Sequence, residues 1–300
     1  MTARKVLLVN NPGTLLFVME GLFSRIVFDA MLEMGIRFTG IVLPGRSSIT
    51  DQVIKNNSLN VLNTASIESM ARHHQIPLYF VSGSRIDEYE QVILKSKPDV
   101  IIVACFPFLL PPVVFNSPAI GAYNIHPSLL PAYRGPVPLF WQFYFGDEKA
   151  GITIHEIDAN FDTGKIVLQE SVVLEDGLSS AEATILLTTA ATQQLKILFE
   201  DLSVSRPTSL DQAVTKSSYY SWPQLEQFNL STEWHVRRVF NFIRGTSHWN
   251  QVYKLCVSGK DLLIREALEY STDSKAAMYV DKNKNERLVA FKGGYLRARL

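Results

Sequence analysis

The chain has 300 residues and no net charge, with 29 Lys and Arg against 29 Asp and Glu, 47% hydrophobic residues and 19% charged ones. This fits a soluble globular protein of about two domains, at roughly 100–200 residues each. No apolar run approaches the ~18–20 residues that span a bilayer, which argues against a membrane protein. Val6–Val9, cut off by Asn10-Asn11-Pro12-Gly13, is too short for a signal-peptide core, and a cytoplasmic location is expected. Cys105 and Cys256 lie too far apart to suggest a disulfide framework or a metal knuckle.

In chain order, Lys5–Val9 reads as a first strand, and Asn10–Leu16 (NNPGTLL) as the turn behind it. That turn lacks the glycine spacing of a phosphate loop. Glu20–Met34 carries Leu22, Ile26, Val27, Ala30 and Met31 at helical spacing, with Gly35 as the stop. Phe38–Leu43 is a second strand. A helix over Ser66–His74, capped by Ser66, precedes a short strand at Pro77–Val81. A helix over Asp87–Ser96 precedes the continuous apolar strand Asp99–Ala104. Continuous apolar strands alternating with helices predict a mostly parallel sheet covered on both faces.

Ala122–Ile125 is the next strand and the aromatic-rich Pro136–Phe145 a helix. Gly151–Ile157 and Lys165–Val173 read as paired strands, and Ser179–Phe199 as a long helix. Residues 203–221 are rich in Ser, Thr and Pro and read as a linker between a domain at 1–202 and a second at 222–300. The second opens with a helix over Thr232–Arg244. Strand-like runs follow at Val252–Val257, Asp261–Ala267, Ala277–Val280, Arg287–Phe291 and Tyr295–Leu300, predicting a small β barrel or sandwich. Residues 216–300 hold 14 Lys and Arg against 8 Asp and Glu, a net +6. That charge suits a polyanion, or a merely solvated surface.

The chemistry gathers in Asn124–Gly135 (NIHPSLLPAYRG) and at Asp162-Thr163-Gly164. Residues two apart on a strand share a face, so Asn124 and His126 converge, and Asp162 can join them. An amide, an imidazole and a carboxylate without a nucleophile suit acyl transfer. A lone His near a strand end, His155 included, is more often structural. The loops at Phe106–Pro112 and after Asn124 either end strands or line a pocket for a flat heterocycle. A zinc site from His126, His155, Asp158 and Asp162 lacks any close helical spacing, and no metal is expected.

Asn124–Gly164 (NIHPSLLPAYRG through GITIHEIDANFDTG) resembles the folate-dependent formyltransferases, closest to methionyl-tRNA formyltransferase-like proteins. The resemblance extends in organisation over residues 1–200. It implies a Rossmann-like, mostly parallel twisted sheet with helices on both faces, then a small β-barrel-like (OB-like) C-terminal domain. It implies catalytic residues Asn124, His126 and Asp162, with Thr153 supporting the carboxylate. It implies the co-substrate 10-formyltetrahydrofolate, held by Phe108, Leu109, Leu110, Ser128, Leu129, Leu130, Pro131, Ile157, Asp158, Ala159 and Phe161. Asn124 and a protonated or donating His126 would stabilise the oxyanion. Asp162 would take the amine's proton and keep His126 charged.

The acceptor stays open. Gly45–Asn57, which would correspond to a basic loop of the tRNA enzymes, holds only Arg46 and Lys55 as basic residues. A tRNA remains a candidate partner through the basic tail. A small-molecule amine (an amino sugar or amino acid derivative), water in a 10-formyltetrahydrofolate hydrolase, or a non-catalytic folate- or RNA-binding module are the alternatives.

Overall fold

A computed structural model describes residues 11–45, 65–83, 85–273 and 285–300. Three sequence expectations fall outside these residues: the strand at Lys5–Val9, nearly all of the loop at Gly45–Asn57, and the strand at Ala277–Val280.

The chain divides into two compact units. The first comprises Met1–Gly135, Gly151–Val172 and Thr184–Tyr219. The second comprises Pro136–Ala150, Val173–Ala183 and Tyr220–Leu300. Residues 203–219, expected as linker, thus belong to the first compact unit.

A seven-stranded sheet has the order β3-β2-β1-β4-β5-β6-β7. Its strands are β1 (Thr14–Val18), β2 (Phe38–Pro44), β3 (Leu78–Val81), β4 (Val100–Ala104), β5 (Gly121–His126), β6 (Lys149–Glu156) and β7 (Ile166–Val173). Strands β3 through β5 run parallel, and β5 pairs with β6 antiparallel. The chain travels one way along the sheet from β1 to β3 and the other way from β4 to β5, which is a doubly wound order.

The helices are α1 (Leu22–Glu33), α2 (Ile67–His73), α3 (Ile86–Ser96), α4 (Pro112–Phe115), α5 (Pro138–Phe145), α6 (Ser180–Val204) and α7 (Val236–Thr246). Ser66 caps α2, its hydroxyl accepting from Ser69 N at 3.0 Å. The parallel strands are buried on both faces, which is why they read as unbroken apolar runs: every residue of β1 and β4 is buried.

One element overturns the sequence reading. Thr14–Leu16 are not a turn but the start of β1, at the centre of the sheet between β2 and β4. The Asn-Pro-Gly signal marks the approach to this strand, and Met19–Gly21 form the turn behind it. Five consecutive buried side chains outweigh the local turn propensity.

In the second unit, α7 presents Val236, Val239, Phe242 and Ile243 inward. Phe140 of α5 meets Phe242 edge-on, with ring centroids 5.6 Å apart. The Arg238 guanidinium lies 3.7 Å from the Trp234 ring centroid. Two three-stranded sheets follow, ordered β10-β9-β8 and β11-β13-β12. Their strands are β8 (Asn229–Leu230), β9 (Tyr253–Val257), β10 (Lys260–Ile264), β11 (Glu266–Ser271), β12 (Glu286–Phe291) and β13 (Gly294–Arg299). The single strand expected at Asp261–Ala267 is two. Ile264 closes the pairing with β9, and past Arg265 the chain pairs with β13 in the other sheet.

Candidate active site

The site is built on the antiparallel pairing of β5 with β6. Asn124 stands opposite His155, and His126 opposite Thr153. Directly opposed residues share a face, as do residues two apart on one strand. The four side chains therefore rise from one face at the carboxyl end of β5. Asp162 reaches them from the loop between β6 and β7. Its φ of 56° is left-handed, a conformation aspartate tolerates better than most residues.

Asn124 Nδ2 lies 3.1 Å from His155 Nε2 and 3.4 Å from Asp162 Oδ1. His155 Nδ1 lies 2.8 Å from the Glu156 carbonyl. A proton on Nδ1 makes that bond and leaves Nε2 to accept from the Asn124 amide. His126 is held at both ends: Nε2 is 2.9 Å from the Tyr133 carbonyl and Nδ1 is 3.4 Å from Asp162 Oδ1. The two oxygens of Asp162 differ. Oδ2 accepts from the Gly135 backbone N–H at 2.8 Å. Oδ1 faces His126, Asn124 and His155 at 3.4, 3.4 and 3.6 Å. The first oxygen is anchored and the second loosely held.

Burial would raise the Asp162 carboxyl, but His126 and the Gly135 N–H outweigh it and hold the group well below the usual carboxylate range. Burial pushes His126 below its ordinary value, against the pull of Asp162. Both ring nitrogens face oxygen acceptors.

Thr153 is a second correction. Its hydroxyl donates to Ser128 O at 2.6 Å and accepts from Leu130 N at 3.1 Å and Gln169 Nε2 at 2.8 Å. One donor and two acceptor positions are thereby used. Thr153 supports the 128–130 loop, not the carboxylate.

The residues expected to hold folate divide by exposure. Leu109 and Phe161 expose 39% and 47% of their surface on the loops after β4 and β6. They suit an apolar heterocycle. Leu110 and Ile157 pack with the core of the sheet. Leu130 and Ser128 are buried, and the Ser128 hydroxyl bonds Ala132 O at 2.7 Å. Leu129 fills the space over Gly151, and the Phe108 ring lies over Gly83. Asp158 is tied to its own loop through Asn160 N and the Thr163 hydroxyl. Pro131 offers its carbonyl to Ser218 N at 3.1 Å. Ala159 lies in the loop that carries Phe161.

Sequence reasoning missed several contributors. His155 reads as an ordinary strand residue from the sequence, and only the cross-strand register sets it opposite Asn124. Tyr133 and Gly135 act through backbone groups, which side-chain identity does not disclose. Gln212 and Ser218 lie in the expected linker.

Residues 45–195, half of the chain, match the profile of the formyl transferase family, and the chain belongs to that family. It is similar to the methionyl-tRNA formyltransferase of Syntrophus aciditrophicus, 32% identical over 209 residues that make up 66% of this chain and 63% of that protein. It is also similar to that of Clostridioides difficile, 28% identical over 195 residues, 64% of this chain and 62% of the relative. The chain thus covers less than two thirds of the length of either relative. Among solved structures it shares its fold with WlaRD, described as a sugar 3N-formyl transferase in the presence of dTDP and 5-N-formyl-THF. The TM-score is 0.66 at 15% identity, over 97% of this chain and 98% of that one. An N-formyltransferase from Helicobacter canadensis, in complex with folinic acid and dTDP-3-aminofucose, gives a TM-score of 0.66 at 14% identity, over 95% and 98%.

Among the described residues no helix is long and apolar enough to cross a membrane.

Proposed function

We propose that the chain is an N-formyltransferase that moves a formyl group from 10-formyltetrahydrofolate to an amine. The observation that carries this reading is the meeting of Asn124, His126 and Asp162 on one face of the β5–β6 junction. The exposed Leu109 and Phe161 suit the apolar ring of such a donor. When bound, it supplies a formyl carbonyl open to attack by nitrogen.

Asn124 donates an amide N–H toward the carbonyl oxygen as negative charge grows there. Losing one such donor costs on the order of 10²–10³ in rate. Asp162, ionised and with Oδ1 loosely held, takes the proton of the attacking amine directly or through water. His126 Nδ1 lies 3.4 Å from that oxygen and can receive the proton in turn. The resulting imidazolium, paired with Asp162, gives the oxyanion a cationic neighbour. As the adduct collapses, the bond from the formyl carbon to the folate nitrogen breaks, and that nitrogen leaves with the proton returned from His126. Residues 1–202 carry this chemistry. The +6 charge of residues 216–300 suits an acceptor bearing phosphate, as methionyl-tRNA and nucleotide-linked amino sugars both do.

The test is an acceptor screen by mass spectrometry with 10-formyltetrahydrofolate, charged initiator tRNA and nucleotide-linked amino sugars. Gain of one formyl group on an amine is the expected result. Formate release that needs no amine would replace the reading with hydrolysis, and the absence of both products would remove it.

A further inference from the structure

We infer that Gln212 is a positioning residue for Asp162 and His126. This rests on the formyl-transfer reading, but its geometry stands on its own. The residues that place the two side chains are left-handed: Tyr133 has φ 59° and Asp162 φ 56°. Such conformations persist in side-chain-bearing residues when the surroundings hold them. Both loops are held by the same stretch of chain, residues 209–219.

Gln212 Nε2 donates to the Asp162 carbonyl at 2.9 Å and to the Gly164 carbonyl at 2.7 Å. Its Oε1 accepts from Arg134 Nε at 3.1 Å and from a terminal Arg134 nitrogen at 2.6 Å. One amide thus clamps the backbone of the Asp162 turn on one side and the loop next to Tyr133 on the other. Ser218 completes the hold. Its hydroxyl accepts from Tyr133 N at 2.9 Å, and its carbonyl accepts from Arg134 N at 3.0 Å. Leu210 and Ile166 exchange two backbone bonds of 2.8 Å, which anchors the start of the stretch.

The consequence for chemistry is direct. Tyr133 O fixes His126 Nε2, and the Asp162 backbone sets where Oδ1 meets His126 Nδ1. Releasing the clamp loosens both ends of the imidazole. Only an amide fits, because the site needs two N–H donors and one acceptor fork from a single side chain. The charged or titratable groups facing His126 are Asp162, His155 and Arg134. Asp162 is the one that pulls its titration upward.

The experiment compares Gln212→Ala, Gln212→Glu and Gln212→Asn with the wild-type chain. It measures formyl transfer and follows the His126 imidazole by NMR across pH. Small misplacements of reacting groups cost up to about 10²-fold, so the expected result is a fall of that order in kcat with little change in the KM for the folate. The His126 midpoint should fall in the Ala variant, as Asp162 moves away. Glu keeps the acceptor for Arg134 but loses both donors, so it should lose kcat as Ala does. Wild-type kcat and an unshifted His126 midpoint in the Ala variant would overturn the assignment, and so would full kcat in the Glu variant. If the Ala variant does not fold, Asn, which keeps the amide but lacks the reach, is read in the same way. If the wild-type chain transfers no formyl group, the functional reading fails, and the NMR midpoint alone decides the positioning role.

Discussion

Asn124 and His155 face each other across the antiparallel junction, and the Asn124 amide donates to His155 Nε2 at 3.1 Å. His155 is turned the right way because its Nδ1 is committed to the Glu156 carbonyl. The pair fixes one Asn124 N–H and leaves the other, 3.4 Å from Asp162 Oδ1, loosely engaged. In the proposed reaction that second N–H would follow the developing oxyanion. Replacing His155 with Phe should free the amide to rotate, and kcat should fall by on the order of 10-fold or more, within the ~10²–10³ that loss of the donor itself costs. His155→Gln should recover part of the loss. Single-turnover kinetics would show it, and an unchanged rate in the Phe variant would separate His155 from the chemistry.

Removing His126 should separate binding from turnover. His126→Ala should abolish transfer while folate binding, measured by fluorescence titration, persists. Asp162→Asn keeps an oxygen for the Gly135 N–H but loses the base, so kcat should fall on the order of 10²–10⁴.

Thr153→Val conserves shape and removes a saturated hydroxyl. Leu130 N and Ser128 O lose a buried partner, which should lower stability by about 1–3 kcal/mol. Denaturant unfolding would measure this. The midpoint should shift even though Thr153 hydrogen-bonds none of Asn124, His126 and Asp162.

Gly164 has no room for a side chain, since a β-carbon there would collide with the Glu156 carbonyl. Gly164→Ala must move the turn that carries Asp162, and overpacking of this kind costs about 1–3 kcal/mol. Both the melting temperature and kcat should drop, whereas Gly259→Ala, open to solvent though left-handed at φ 77°, should lower stability and spare kcat.

Acid should unfold the protein through its buried histidines. Burial depresses His126 from the ordinary 6.5 and takes His248 down to about 4. The unfolded chain then binds protons that the folded chain refuses. Stability is complete above pH 6.5 and declines below it, at up to about 1.4 kcal/mol per pH unit for each histidine. For His248 the decline runs to about pH 4. His248→Phe, which also removes a buried Nδ1 without a partner, should flatten the acid limb of a urea-midpoint profile.

Much of the sheet was legible because its strands are buried on both faces and its helices carry a 3.6-residue period. Val100–Ala104 and Leu22–Glu33 needed only that pattern. The first strand was not, because Asn11-Pro12-Gly13 advertise a turn and only the tertiary position of Thr14–Val18 makes them a central strand. The meeting of Asn124 and His126 followed from strand periodicity. The part played by His155 did not, because cross-strand register sets it. Gln212 was hidden most deeply: a Ser- and Thr-rich stretch has the composition of a linker, and only backbone carbonyls 48 and 50 residues upstream give it work.

The β5–β6 register also bears on how this site tolerates change. Side chains on a strand alternate faces, so sliding β6 by one residue would carry Thr153 and His155 together to the far side of the sheet. An insertion within β6 would therefore abolish the cluster in a single step. The 22 residues from 127 to 148, between the two strands, can lengthen without disturbing the pairing itself. An engineer seeking new acceptors has a frame that is rigid in phase, and diversity belongs in the connection beyond Gly135, not in the strands or in the loop that holds His126 and Asp162.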